Sequence, residues 1–116
     1  RSTLFPYTTL FQSDVDAAAR RVVEDAGWGE AFSHPTGHPT GFRYHDAGPI
    51  LAPDCTEELQ AGMVLTVEPG IYSAAHAFGC RIEENVLVTP DGCELLSAPE
   101  ADGAIAGGDF YAGVSR

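Results

Sequence analysis

The stretches GMVLTVEPGIY at residues 62–72 and RIEENVLV at residues 81–88 decide the fold of this chain. Met63–Glu68 is apolar and ends at a Pro-Gly pair, which indicates a strand followed by a turn. Arg81–Thr89 alternates and ends in the turn signal Pro-Asp-Gly, and Cys93–Leu96 can pair back as the next strand. The sequence therefore predicts antiparallel strands in this part of the chain.

One helix is predicted before these strands. Ser13 can cap it, and Asp16, three residues later, completes a pattern like a capping box. Gly27 is placed to end it. An apolar stripe at helical spacing predicts its buried face, formed by Val15, Ala18, Ala19, Val22, Val23 and Ala26.

The rest of the chain divides by composition. Residues 28–62 are rich in Gly and Pro and are predicted to be mostly loop. Residues 1–13 resemble translated sequencing-adapter read-through, so we expect a non-native leader there, with an ordinary edge strand as the alternative. The domain then covers residues 14–97, and residues 98–116 are predicted to be a Gly/Ala-rich surface tail.

Composition excludes some classes of function. The chain has 116 residues, of which 44% are hydrophobic, so it can bury a core. Its net charge of -11 argues against a nucleic-acid binder, which normally carries a basic face. No apolar run approaches the ~20 residues of a membrane span. The odd cysteine count, without tight spacing, predicts free thiols and a cytoplasmic protein, the three being Cys55, Cys80 and Cys93.

Three histidines, His34, His38 and His45, lie within twelve residues. The first two have the i,i+4 spacing of a helical zinc pair, but Pro39 would clash in a helix and pushes His38 toward extended geometry. By itself such a cluster is either a site or a set of loop histidines.

Two glutamates are candidate partners for these imidazoles. Glu68 ends an apolar run, where a carboxylate is costly to bury without a cation; the alternative is a strand-end glutamate that points into water. On one predicted strand, Arg81, Glu83 and Asn85 share a face because side chains alternate with period two. If the strands pair antiparallel, both glutamates face one pocket, and two carboxylates with an imidazole suit Mn²⁺, Co²⁺, Fe²⁺ or Zn²⁺.

The segments at 34–46, 62–72 and 81–88 occur in an order and spacing that resembles the pita-bread metallopeptidases. These include Xaa-Pro aminopeptidase, prolidase and, more distantly, methionine aminopeptidase, and the resemblance covers about residues 14–97. It implies an α+β, creatinase/aminopeptidase-like fold. This chain would supply the C-terminal part of the catalytic domain, an antiparallel sheet with a flanking helix.

The resemblance also implies a metal centre. The family's metal-binding histidine matches His38, the glutamate of its Glu-Pro-Gly turn matches Glu68, and its bridging glutamate matches Glu83. The complete enzyme would hold two divalent ions, with Mn²⁺ as our first choice and Co²⁺, Zn²⁺ or Fe²⁺ as alternatives.

Four matches imply catalytic roles. Glu68 would exchange protons with the nucleophilic water, His34 and His45 would orient substrate and stabilise the tetrahedral intermediate, and Arg81 matches the Arg-Ile-Glu arginine of the proline-specific branch. The implied substrate is a peptide with proline in second position. No nucleic-acid or membrane partner is expected, and a homodimer is compatible with the resemblance.

The chain departs from the family in two respects. Pro39 stands where glycine is usual, and the two aspartate ligands of the family lie on strands N-terminal to the helix, where Asp14 and Asp16 do not fit. We therefore expect either a truncated gene product or a gene whose remaining part was lost in assembly, and in both cases a chain that is inactive alone. The alternatives are a creatinase-like hydrolase, a peptidase-like histone-chaperone domain, or a plain interaction module, which would bind no metal.

Overall fold

A computed structural model describes residues 9–97 of the chain. Its elements are one helix, one short 3₁₀ turn at Gly29–Ala31 and five strands: α1 (Gln12–Asp25), β1 (Val64–Val67), β2 (Gly70–Ser73), β3 (Phe78–Arg81), β4 (Glu84–Thr89) and β5 (Gly92–Leu95). The tail predicted at 98–116 and most of the leader predicted at 1–13 lie outside the described residues. No helix between residues 9 and 97 is long and apolar enough to cross a membrane.

The strands form two antiparallel sheets. One has the order β1-β4-β5, and the other is the hairpin of β2 and β3. The first sheet pairs Val67 with Glu84, and the hairpin pairs Gly70 with Arg81. The prediction of an α+β architecture, with antiparallel strands and a flanking helix, is confirmed.

The predicted strand Arg81–Thr89 is wrong as a single element. β3 ends at Arg81 and β4 begins at Glu84, so the chain changes sheets at residues 82–83. The segment between β1 and β2 changes sheets at the same level, where Pro69 has no N–H to donate to a neighbouring strand. Arg81, Glu83 and Asn85 therefore do not share the face of one strand.

The start of α1 also differs from the prediction. Phe11 is the residue before the first helical turn, and its N–H donates to the Asp14 carboxylate at 2.8 Å. The predicted cap at Ser13 is wrong because α1 begins at Gln12, so Ser13 lies inside the first turn, where its N–H donates to the carbonyl of Cys55 at 3.1 Å. The free N–H groups of the first turn therefore meet loop carbonyls, and Asp16 is buried instead of capping.

The predicted end of α1 is confirmed. Gly27 has a φ of 85°, and its N–H donates to the carbonyl of Glu24 at 2.8 Å. The next N–H, from Trp28, donates to the carbonyl of Val23 at 3.0 Å. This is the Schellman pattern, which needs a left-handed residue that glycine adopts without strain.

The buried face of α1 is more polar than the predicted stripe. Of that stripe only Val23 is buried, and Val22 is 71% exposed. Gln12 and Asp16 are fully buried in its place. This follows from what the helix packs against: loop backbone, whose buried N–H and C=O groups must be paired with polar partners.

The loop after α1 runs beside β1 as an extended segment. The N–H of Thr66 donates to the carbonyl of His38 at 2.8 Å, and the N–H of Thr40 donates to that of Val64 at 3.2 Å. On its other edge the segment bridges Leu51, which is 1% exposed and is the most buried apolar residue of the core. Pairing on both edges gives His38 a rigid extended backbone, as Pro39 predicted.

Candidate metal centre

The orientation of His38 is set by one hydrogen bond of its backbone and one of its ring. Its own N–H donates to Oγ1 of Thr66 at 3.0 Å, which ties it to β1. Its Nδ1 lies 2.9 Å from the carbonyl oxygen of Pro39, and a carbonyl can only accept. In the neutral ring the proton is therefore on Nδ1, and the Nε2 lone pair is free to bind a cation.

Glu68 meets that lone pair. It follows β1 directly, and its Oε1 lies 3.1 Å from Nε2 of His38, with both side chains 13% exposed. Its Oε2 lies 3.6 Å from Nε of Arg81. The carboxylate thus lies between an imidazole and a guanidinium.

Glu83 completes the group from the position just before β4. It precedes β4, which pairs with β1, so the two glutamates flank the point where the chain changes sheets. One ligand atom from each of His38, Glu68 and Glu83 lies within 4.8 Å of the others. The structure brings these three side chains together, although neither glutamate lies within a strand.

The donor set fits a divalent ion. In the neutral tautomer, Nε2 of His38 and Oε1 of Glu68, 3.1 Å apart, are both acceptors, so a cation bound to both atoms would stabilise their contact. Carboxylate oxygens with one imidazole nitrogen are ligands for Mn²⁺, Fe²⁺, Co²⁺ or Zn²⁺.

His34 lies beside this centre in a fixed orientation. Its Nδ1 is 2.7 Å from the carbonyl oxygen of Pro35, so Nδ1 carries the proton. Its Nε2, 3.0 Å from the hydroxyl of Tyr72, accepts from that hydroxyl. Tyr72 ends the sequence motif at residues 62–72, but no role was predicted for it. Its position beside His34 is seen only in the folded β2–β3 hairpin.

Arg81 is the charged residue of the hairpin. Charge interactions with Tyr72 first and with Glu68 second, followed by a hydrogen bond to Tyr72, raise the pKa of its guanidinium above the ordinary value. Its side chain is 50% exposed, so solvent weakens these interactions. Arg81 is therefore a permanent cation beside Glu68.

His45 approaches from the loop after the extended segment. The centre of its ring lies 4.3 Å from that of His38 and 5.1 Å from that of Tyr44.

A cavity of about 320 Å³ opens beside these rings. It is lined by His34, Pro35, Gly37, His38, Tyr44, His45, Ile50, Glu68 and Arg81. Five of the six sequence-predicted residues line it; the sixth, Glu83, reaches the same ligand group. Sequence reasoning missed Tyr44 and Ile50, because nothing in their spacing marks them.

Comparison with known proteins gives one consistent family. The sequence model of metallopeptidase family M24 matches residues 2–90. An uncharacterized peptidase of Staphylococcus epidermidis is 44% identical over 87 residues, which are 75% of this chain and 24% of that protein.

Solved structures agree. The X-Pro aminopeptidase of Thermotoga maritima superposes with a TM-score of 0.72 at 38% identity, over 78% of this chain and 25% of that one. The prolidase of Pyrococcus furiosus gives 0.74 at 34% identity, over 79% and 27%. The chain thus spans about a quarter of the length of these relatives. It belongs to metallopeptidase family M24 and has the pita-bread fold of that family.

Proposed function

We propose that this chain contributes part of the active site of a peptidase that hydrolyses Xaa-Pro bonds, of the aminopeptidase P or prolidase type. The observation that carries the proposal is the meeting of His38, Glu68 and Glu83, with ligand atoms within 4.8 Å of one another. Because the chain spans about a quarter of the length of its relatives, the activity is proposed for a protein that contains the whole fold.

His38, Glu68 and Glu83 would hold divalent metal, with Mn²⁺ as the first choice and Co²⁺, Zn²⁺ or Fe²⁺ as alternatives. When bound, such ions lower the pKa of water and stabilise negative charge that develops on the substrate. Nε2 of His38 and the carboxylate oxygens of the two glutamates are the ligand atoms that this chain offers to them.

Glu68 is the proposed proton carrier. It can take a proton from the attacking water and return it to the leaving nitrogen, as a general base and then a general acid. The guanidinium of Arg81, whose Nε lies 3.6 Å from Oε2 of Glu68, is a permanent cation beside this carboxylate.

The proposed substrate contacts come from the cavity walls. Among residues 9–97, the ring nitrogens of His45 have no hydrogen-bond partner, so they are available to a substrate carbonyl. His34, held by Tyr72, would orient the peptide. Tyr44 and Ile50 offer apolar surface to a proline ring. A cytoplasmic location and a homodimer stay predictions from the resemblance.

The test uses a longer version of the protein that restores the two aspartate-bearing strands of the family. We expect it to cleave Xaa-Pro peptides with added Mn²⁺ or Co²⁺, and to cleave matched peptides with alanine in place of proline poorly. The 116 residues alone should show no turnover. Activity that survives exhaustive chelation, or no preference for proline, would contradict the proposal.

A further inference from the structure

A charged residue lies fully buried beneath the candidate site. Asp16 of α1 has 0% exposure, and its Oδ1 accepts from both the hydroxyl and the N–H of Thr36, at 2.8 and 3.2 Å. Its Oδ2 accepts from Nε of Arg20 at 2.6 Å. A buried carboxylate is costly unless all of its oxygens are paired, and here both are.

Arg20 extends this pair to two further backbone positions. One terminal nitrogen donates to the carbonyl of Phe32 at 3.0 Å, and the other donates to that of His34 at 2.7 Å. The guanidinium also lies over the Phe32 ring, 4.3 Å from its centre. Its planar fork fixes the directions of these bonds, which a single ammonium cannot do.

The anchored backbone leads directly into the site. Asp16 and Arg20 hold residues 32, 34 and 36, and the carbonyl of Thr36 accepts the N–H of Glu68 at 2.6 Å. Two residues after Thr36 comes His38. The three chain positions that carry His34, His38 and Glu68 are therefore all connected to one ion pair on α1.

We propose that Asp16 and Arg20 are positioning residues of the metal centre, which hold the backbone so that the rings of His34 and His38 keep one orientation toward Glu68. The role rests on the proposed function, because it is exerted on those ligands. A pair that only stabilises the fold would lower the melting temperature and leave ring orientation and metal affinity unchanged.

The test uses the 116-residue chain with ¹⁵N-labelled histidine and the variants Arg20→Lys and Arg20→Met. Arg21→Met is the matched control, because Arg21 is the next residue of α1 and is exposed. Imidazole ¹⁵N shifts report the tautomer of His34 and His38, Mn²⁺ titration reports metal affinity, and circular dichroism reports folding. Lysine keeps the charge beside Asp16 but cannot reach both carbonyls.

In the unmodified chain we expect the proton of His34 on Nδ1. We expect Arg20→Lys to stay folded and to unfold cooperatively, with ¹⁵N shifts of His34 that are averaged over both tautomers. Its Mn²⁺ affinity should be about tenfold weaker, which is the usual effect of losing a residue that orients a metal ligand. Arg20→Met should weaken affinity further, and Arg21→Met should change neither.

Folded Arg20→Lys with unchanged shifts and affinity would overturn the positioning role. The positioning role would also be overturned if Arg20→Lys no longer unfolded cooperatively while Arg21→Met still did, because the ion pair would then serve stability. If the unmodified chain binds no Mn²⁺, the expectation that His38, Glu68 and Glu83 bind metal without the rest of the fold fails, while the tautomer of His34 still decides the positioning role.

Discussion

Nε2 of His38 lies 3.1 Å from Oε1 of Glu68, and both side chains are 13% exposed. Because Nδ1 of His38 already faces a carbonyl, neither facing atom carries a proton in the neutral ring. The contact is therefore suited to a cation bound by both side chains.

Replacing His38 by alanine should remove metal binding from this chain. We expect the unmodified 116 residues to bind one Mn²⁺ weakly, because three ligands without the family's aspartates cannot organise a metal pair. Isothermal titration of His38→Ala should show no binding. His76→Ala is the control, since the ring of His76 forms a hydrogen bond with the hydroxyl of Ser73 and does not line the cavity. Tight binding of two ions per chain would show that further ligands exist in this sequence.

The two neighbouring histidines should differ in a longer, active version. His38→Ala should abolish turnover because a ligand is lost. His45→Ala should slow turnover by about 10²- to 10³-fold, the usual loss when one donor to a developing oxyanion is removed, with metal still bound. Steady-state rates with metal analysis of the same samples test this. Loss of metal from His45→Ala would assign His45 to the ligands instead.

Gly37→Ala should destabilise the fold. A Cβ atom at Gly37 would lie 1.8 Å from the backbone oxygen of Thr66, in the ladder that holds His38 beside β1. We expect a loss of about 3 kcal/mol in the free energy of unfolding, the upper end for overpacking, because the clash is with backbone. Urea unfolding measures it. Gly92→Ala is the control, since no described atom lies within 4 Å of its Cβ. Equal stability of the two variants would be the contrary result.

Asp16→Ala should also lower stability. The change leaves Arg20 without its carboxylate and the hydroxyl of Thr36 without its acceptor. Breaking a buried pair costs about 3 to 5 kcal/mol, and we expect the lower end because the Arg20 side chain is 22% exposed. Asp25→Ala, at the exposed end of α1, should be neutral in the same urea titration. A loss below about 1 kcal/mol for Asp16→Ala would contradict the buried ion pair.

Local sequence predicted much of the backbone. Pro39 excluded a helical His38, Gly27 marked the end of α1, and the apolar run before Glu68 marked β1. Each of these depends on the conformational preference of one residue or on a short pattern, so neighbours in sequence are sufficient. Motif order, through the resemblance, selected five residues that line the cavity and a sixth, Glu83, that lies near two of them.

Tertiary structure alone decided which long-range partners these residues meet. The single strand predicted from Arg81 is two strands, because the chain changes sheets opposite Pro69. Asp16 looked like a helix cap and is a buried anchor for Thr36, twenty residues away. Local spacing carries no information about such partners, since a carboxylate at a helix start satisfies its hydrogen bonds equally well in water, and only the packed loop determines that it is buried.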